Sequence, residues 1–301
     1  MDNVIVMILI AAISGGSGAP FAKVALEVFG PFTLLVIRFL STALVLLPFV
    51  HRSRELNGSV FKHLLGVKLI GSLNPILLFI GLQFTTASVS PLIYAAVPLM
   101  TAIYFRAARN SRIAARSLQG IVVGFLGVAI IFLLPLFEKG TPDLSSLWGN
   151  VLILGAAVVF MFYGIVSKER QRRLKVSPLA LTFYLSVVTL LVSLPFSVFE
   201  LLRQPLVLSA VQPKHLLSAV ALGIVSTSMF YISYQRALQL GNEVTASLYT
   251  YLQPVSTILL AWLMLGETLT VPFVLGGALA VIGAGMASQK AGAPVAAPKS
   301  I

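Results

Sequence analysis

The sequence predicts an all-α membrane protein whose ten transmembrane helices form two inverted-topology five-helix repeats. Three observations predict it. The 301-residue chain is 58% hydrophobic and only 10% charged, against roughly a quarter charged in an ordinary soluble domain. Ten apolar stretches reach the ~20 residues that a helix needs to cross a bilayer. Landmarks of the first half also recur, in order, in the second.

The ten stretches are Val4–Ala22, Phe32–Val50, Leu64–Phe84, Ala87–Phe105, Leu118–Phe137, Leu147–Ser167, Pro178–Phe199, Leu216–Gln235, Val244–Gly266 and Leu269–Gln289. Each is too long and too uniformly apolar for a barrel strand. In hydrocarbon a backbone must satisfy its own hydrogen bonds, so these are helices. The first has Asp2 as the only charged side chain ahead of it and leads into further spans, so it reads as a helix of the mature chain and not as a signal peptide. Only Arg38 and Lys68 place a formal charge well inside a stretch. Lys68, about one turn in, is expected to snorkel to the nearer interface.

Charge supplies the orientation. If the helices alternate, fifteen basic residues in loops or at helix ends fall on one side. They run from Arg52, Arg54 and Lys62 through Arg106–Arg116 and Lys168–Lys175 to Arg236, Lys290 and Lys299. Only Lys139, Arg203 and Lys214 occupy loops on the other side. The positive-inside rule then puts both termini in the cytosol of a multi-pass protein of the cell (inner) membrane. The same distribution accounts for the net charge of +12 without a nucleic-acid partner, because the cations edge loops and form no single surface. Absence of cysteine excludes disulfides and thiolate chemistry.

At an offset of 147 positions Asn3 matches Asn150, Pro31 matches Pro178, and Pro48-Phe49 matches Pro195-Phe196. After a longer connection the offset becomes 156, pairing Leu82-Gln83 with Leu238-Gln239, Pro98 with Pro254, Gly120 with Gly276 and Gly127 with Gly283. Residues 1–140 are therefore read as one five-helix repeat and 141–289 as a second. Residues 290–301 are read as a disordered cytosolic tail. An odd number of helices per repeat inverts the second copy, the architecture of many secondary transporters with a site at the midplane.

The chain resembles the drug/metabolite transporter superfamily in its EamA-type, ten-helix branch. The resemblance is carried by Tyr251-Leu-Gln-Pro254-Val, by Ala261-Trp-Leu-Met-Leu-Gly266-Glu267, and by Gly276-Gly277 with Ile282-Gly283. A weaker sister runs from Gly81-Leu-Gln through Ser88 to Pro98, and Lys23 and Arg38-Phe-Leu also fit. The Gly-Glu pair has no counterpart after the fourth stretch, where Tyr104-Phe105-Arg106 stands. The resemblance implies transport, mostly export, of amino acids, metabolites or drug-like compounds, and leaves the solute open.

Candidate residues follow from chemistry inside the spans. Pro98 and Pro254 lie near the middle of matched stretches, where proline removes a donor and kinks a helix, shaping either a cavity or ordinary packing. Tyr94, Tyr251 and Gln253 flank them; Asn74, Tyr163, Tyr231 and Tyr234 supply further polar or aromatic groups. Each of these contacts either solute or a neighbouring helix. Lys23, Arg38 and Glu267 approach one side together and are read as an outer gate or as a structural clamp. Gly120 and Gly124, with Gly276 and Ala280, offer small-residue faces for packing within the monomer or for a homodimer.

Gly15-Gly16-Ser17-Gly18 superficially resembles an intramembrane serine-protease motif. A serine nucleophile needs a base within reach, yet His51, His63 and His215 all fall in loops or at helix ends. Catalysis is not expected, and the run instead loosens the first helix, for movement or for a narrow backbone approach to solute. Nothing calls for a cofactor or a metal, and no phosphate-binding Gly-rich Lys motif is present. The expected partners are a small organic solute and the lipid bilayer, with proton or exchange coupling open. The expected function is a secondary transporter, an exporter of a metabolite such as an amino acid or amine, working by alternating access; a non-transport scaffold or receptor, or a channel, is the alternative.

Overall fold

The computed structural model describes residues 2–53, 55–84, 89–110, 113–139, 147–265 and 271–288. All regular structure among them is helical. In chain order the helices are α1 (Asp2–Gly16), α2 (Gly18–Ala25), α3 (Pro31–Arg52), α4 (Gly58–Gly81), α5 (Val89–Tyr94), α6 (Val97–Arg109), α7 (Ala115–Lys139), α8 (Leu147–Leu174) and α9 (Pro178–Arg203). Next come α10 (Pro213–Ala221), a π-helical segment (Leu222–Met229), α11 (Phe230–Leu240), α12 (Glu243–Ser247), α13 (Tyr249–Leu265) and α14 (Val271–Ser288).

Seven stretches among the described residues are long and apolar enough to cross a membrane, two of them made of consecutive elements: Asn3–Ala25 and Pro213–Leu240. Ala115–Ile131 is a shorter apolar helix. The fourth and ninth expected stretches are interrupted. The fourth breaks at Ala95–Ala96, between α5 and α6, and the ninth breaks at Leu248, between α12 and α13. Pro98 therefore sits in the first turn of α6 and not at a mid-helix kink. Its missing N–H costs nothing there, since the first turn has no intrahelical acceptor for it. Pro254 is inside α13, five residues beyond its start. Pro31 and Pro178, which align at the offset of 147, both occupy the first turn of their helices, α3 and α9.

Packing is set by close approaches. α3 packs on α9, α4 on α8, α7 on α14, and α1 on α11 and α13. A Cβ on Gly16 would lie 2.8 Å from the Ser256 Cβ and 2.9 Å from the Thr257 backbone nitrogen. The glycine-rich end of α1 thus admits another helix, α13, where a backbone approach to solute or a moving element was expected. At the α7–α14 crossing, Cβ atoms on Gly120 and Gly127 would meet backbone of Ala287 and Gly283, and of Ala280 and Gly276. The small-residue faces are consumed within the chain.

Large apolar side chains such as Leu44, Leu191, Leu263 and Val281 point outward, an apolar surface that suits lipid and not water. One end of the bundle gathers Val4 against Gly241, Lys168 against Glu243, and Glu55 with Asn57 against Ser177 and Tyr184. This is the end rich in basic loops. The opposite end gathers Glu27, Thr33, Glu200 and His215.

Lys68 departs from its expected placement. Its side chain is fully buried, and its Nζ has no hydrogen-bond partner among the described residues. The ammonium lies 5.2 Å from the centre of the Tyr163 ring. It does not snorkel because α8 and α9 both pack on α4, with the Tyr163 ring over the ammonium.

Candidate functional site

A cavity of about 150 Å³ lies within the bundle, lined from both halves of the chain. From the first half come Arg38 on α3, Asn74, Pro75 and Leu78 on α4, and Ser90, Pro91 and Tyr94 on α5. From the second come Phe160 on α8, Phe230 and Tyr231 on α11, and Tyr249 to Thr257 along one side of α13. That volume resembles an engineered apolar cavity that takes up one benzene ring.

The wall is built by the breaks. Ending α5 at Tyr94 lets the Tyr94 hydroxyl reach the Asn74 side chain, whose Nδ2 donates to it and, at 2.9 Å, to the Ala156 carbonyl. Both Asn74 donors are thereby spent, and among the described residues its carbonyl oxygen and the Tyr94 proton have no partner. On the other wall Phe230 lies 4.9 Å from Tyr249 and 6.0 Å from Tyr234, and Phe160 lies 5.1 Å from Tyr234, centroid to centroid. Rings at these spacings interlock and hold a fixed aromatic surface. The π-helical segment precedes this surface. Its Thr227 hydroxyl donates to the Leu222 carbonyl at 2.7 Å and accepts from Arg38 Nε at 2.6 Å. Arg38 is therefore anchored through one nitrogen, with the rest of its guanidinium at the cavity. The described lining holds this cation and no carboxylate.

Toward the basic end the cavity is closed. One turn beyond Phe160, the Tyr163 hydroxyl accepts from Gln235 Nε2 at 2.8 Å, and Ser167 donates to Gln235 Oε1 at 3.1 Å. Beyond these, Lys168 Nζ donates to the Gly241 carbonyl at 2.7 Å and pairs with Glu243 at 3.2 Å.

A second pocket of about 260 Å³ opens at the other end beside Glu27 and Glu200. Glu200 spends its carboxylate on α3, accepting from the Phe32 and Thr33 backbone N–H groups and from the Thr33 hydroxyl. Glu27 is held by Lys214 and His215. These carboxylates fasten helix ends, so the smaller central cavity is the better site.

Of the residues singled out from sequence, Asn74, Tyr94, Tyr231, Gln253, Pro254 and Arg38 line this cavity. Tyr163 and Tyr234 lie behind it in the ring cluster, and Pro98 starts α6 without lining it. Tyr251 faces away: its ring covers Gly124 and its hydroxyl donates to the Ile121 carbonyl at 2.9 Å. Lys23 ends α2 and is exposed. Glu267 lies outside the described residues. Phe160, Phe230, Tyr249 and Thr257 were missed, because nothing in the sequence separates a cavity phenylalanine from a lipid-facing one.

Long apolar helices around an internal cavity define the class, a multi-pass membrane protein. The EamA-like transporter family matches residues 3–133 and 147–289, and the chain belongs to that family, within the drug/metabolite transporter superfamily. Similar proteins include an uncharacterized transporter of Clostridium kluyveri, 26% identical over 84% of this chain and 82% of its own length. Another is from Archaeoglobus fulgidus, 24% identical over 90% and 92%. The uncharacterized transporter YyaM of Bacillus subtilis is 26% identical over 93% and 92%. A solved crystal structure superposes with a TM-score of 0.78, covering 96% of this chain and 97% of that one at 18% identity, which shows the shared fold.

Proposed function

We propose that the protein is a secondary transporter of the cell (inner) membrane that exports a small organic metabolite, of amino-acid or amine kind, by alternating access. The observation that carries the reading is a cavity lined by both halves of the chain and sealed at its basic end by the Tyr163–Gln235–Ser167 network and the Lys168–Glu243 pair. A channel would need a continuous path there, and a scaffold has no use for the cavity.

Ten helices in two inverted repeats complete the proposal, with both termini cytosolic. Reciprocal contacts support the two-fold. Gly127 and Gly276 approach each other, as do their repeat mates Gly283 and Gly120. Contacts that interchange in this way are what a two-fold axis between α7 and α14 produces. The basic, sealed end is then cytosolic, and the cavity belongs to an outward-facing state. Opening the sealed end while the outer end closes would complete the cycle.

The test is reconstitution in proteoliposomes with exchange of labelled amino acids, amines, sugars and nucleosides. Tyr231→Ala and Gln253→Ala should each weaken binding of the transported solute by about 1–2 kcal/mol, roughly five- to thirtyfold, with folded yield unchanged. Unaltered exchange in both variants would move the site elsewhere; no exchange of any solute by the wild type would remove the transport reading.

A further inference from the structure

Two cations lie among the spans, Lys68 buried and Arg38 half-buried, and among the described residues neither makes an ion pair with a carboxylate. Arg38 has Thr227 as its hydrogen-bond partner and the cavity before it. Lys68 has only the face of Tyr163. A basic group inside a membrane protein is costly and ordinarily marks a pathway or a partner. An apolar residue of the same length would serve packing equally well or better. Packing alone therefore does not account for Lys68.

The repeat register relates the two. At the offset of 147, Arg38 corresponds to Leu185 on α9, and at 156 Thr227 corresponds to Gly71 on α4. Arg38 contacts Thr227, and Leu185 contacts Gly71, where a Cβ would come within 2.8 Å of the Leu185 side chain and 2.7 Å of the Tyr163 ring. These are the same junction in the two halves, at mirrored depths. Lys68 stands one turn from Gly71 on the cytosolic side. Each leaflet thus carries one cation at the matching junction: Arg38 open to the cavity, Lys68 covered by Tyr163.

Resting on the alternating-access reading above, we propose that Lys68 is a second anion-binding station: the carboxylate of an apolar or aromatic solute is held by Arg38 while the cavity faces outward, and by Lys68 once the cytosolic side opens and Tyr163 uncovers it. The solute is then a small organic anion or zwitterion, not a bare amine. Arg38 repels an amine, and the lining offers it no carboxylate.

The probes are 3-phenylpropionate, L-phenylalanine and phenethylamine, which present one ring on a short chain with a carboxylate, both charges, or an amine alone. Binding to purified protein is read by thermal shift and titration, and counterflow of the labelled compounds in proteoliposomes. Wild type should bind and exchange one or both carboxylates and not the amine. Lys68→Met should be as stable as wild type or more so and bind within about twofold from the outer side, yet exchange at least about tenfold more slowly. Lys68→Arg should keep exchange within about threefold. Binding of neither carboxylate, or of the amine alone, overturns the proposal even if the broader solute panel is transported. Equal exchange by Lys68→Met and wild type overturns the station and leaves transport standing. Binding of a carboxylate with no exchange by the wild type defeats the transport reading, and with it the station.

Discussion

The Gln235 side-chain amide donates to the Tyr163 hydroxyl at 2.8 Å, one helical turn below the aromatic rings that line the cavity. It joins α11 to α8 between the cavity and the Lys168–Glu243 pair, in the same layer as Ser167 and beside the Tyr234 hydroxyl, which lies against Gly164. Both side chains are buried, so water cannot replace the bond while the end stays closed.

If the protein works as proposed, breaking that bond should favour the cytosol-open state. Gln235→Ala removes about 1 kcal/mol of hydrogen bonding, which shifts a two-state balance roughly fivefold. A cysteine at the buried Leu238 position should then react faster with a small thiol reagent added from the cytosolic side of inverted vesicles. The same rate with and without Gln235 would show that the network seals nothing.

Orientation can be read with single cysteines, since the chain has none of its own. Leu208, in the segment between α9 and α10, is 77% exposed, and Ser53 is exposed at the end of α3. An impermeant thiol reagent applied to intact cells should label Leu208→Cys and spare Ser53→Cys. The reverse pattern would invert the proposed topology.

The α7–α14 crossing should be intolerant of a single methyl group. At Gly127 a Cβ would sit 2.5 Å from the Ala280 backbone nitrogen and 2.6 Å from the Gly276 carbonyl oxygen, and backbone yields little. Gly127→Ala should cost about 1–3 kcal/mol, as overpacking does. Gly285→Ala, with nothing within 4 Å, should be neutral or gain up to about 1 kcal/mol of helix propensity. Detergent melting curves give the comparison; equal midpoints would contradict the close crossing.

Acid should weaken the end of the bundle that holds Glu27. Hydrogen bonds from Lys214 first and His215 second hold its carboxyl below the ordinary value of 4.5, with desolvation opposing them. A depressed folded-state value means the contribution is present above about that pH and is lost as pH falls through the folded value. Glu27→Gln should flatten that part of the stability–pH curve in detergent. An identical acid limb in the variant would show that Glu27 contributes nothing there.

The helical spans were legible because apolar length depends on local sequence alone. The close crossings of Gly120, Gly127, Gly276 and Gly283 were visible for the same reason, though not which helices would meet. The cavity was legible only in part. Asn74, Tyr94, Tyr231 and Gln253 stand out as polar groups in apolar runs. Tyr251 stands out equally and faces Ile121, because the rotation of a helix about its axis is fixed by its neighbours. Pro98 was assigned a mid-helix kink because a proline does not reveal whether a helix begins just ahead of it. Lys68 looked free to reach the interface because the helices that enclose it are distant in sequence.

The π-helical segment Leu222–Met229 has a consequence for how the lining of the cavity can change. A wide turn accommodates an additional residue without interrupting the helix and rotates everything after it. Downstream of it lie Phe230, Tyr231 and Tyr234, so the direction of that ring surface is set by backbone winding upstream as well as by residue identity. A lineage that lost one residue here could keep the helix and every aromatic side chain, yet present a different face to the interior. Specificity among relatives could then change by a single-codon deletion, in a stretch that aligns without any difference in its site residues.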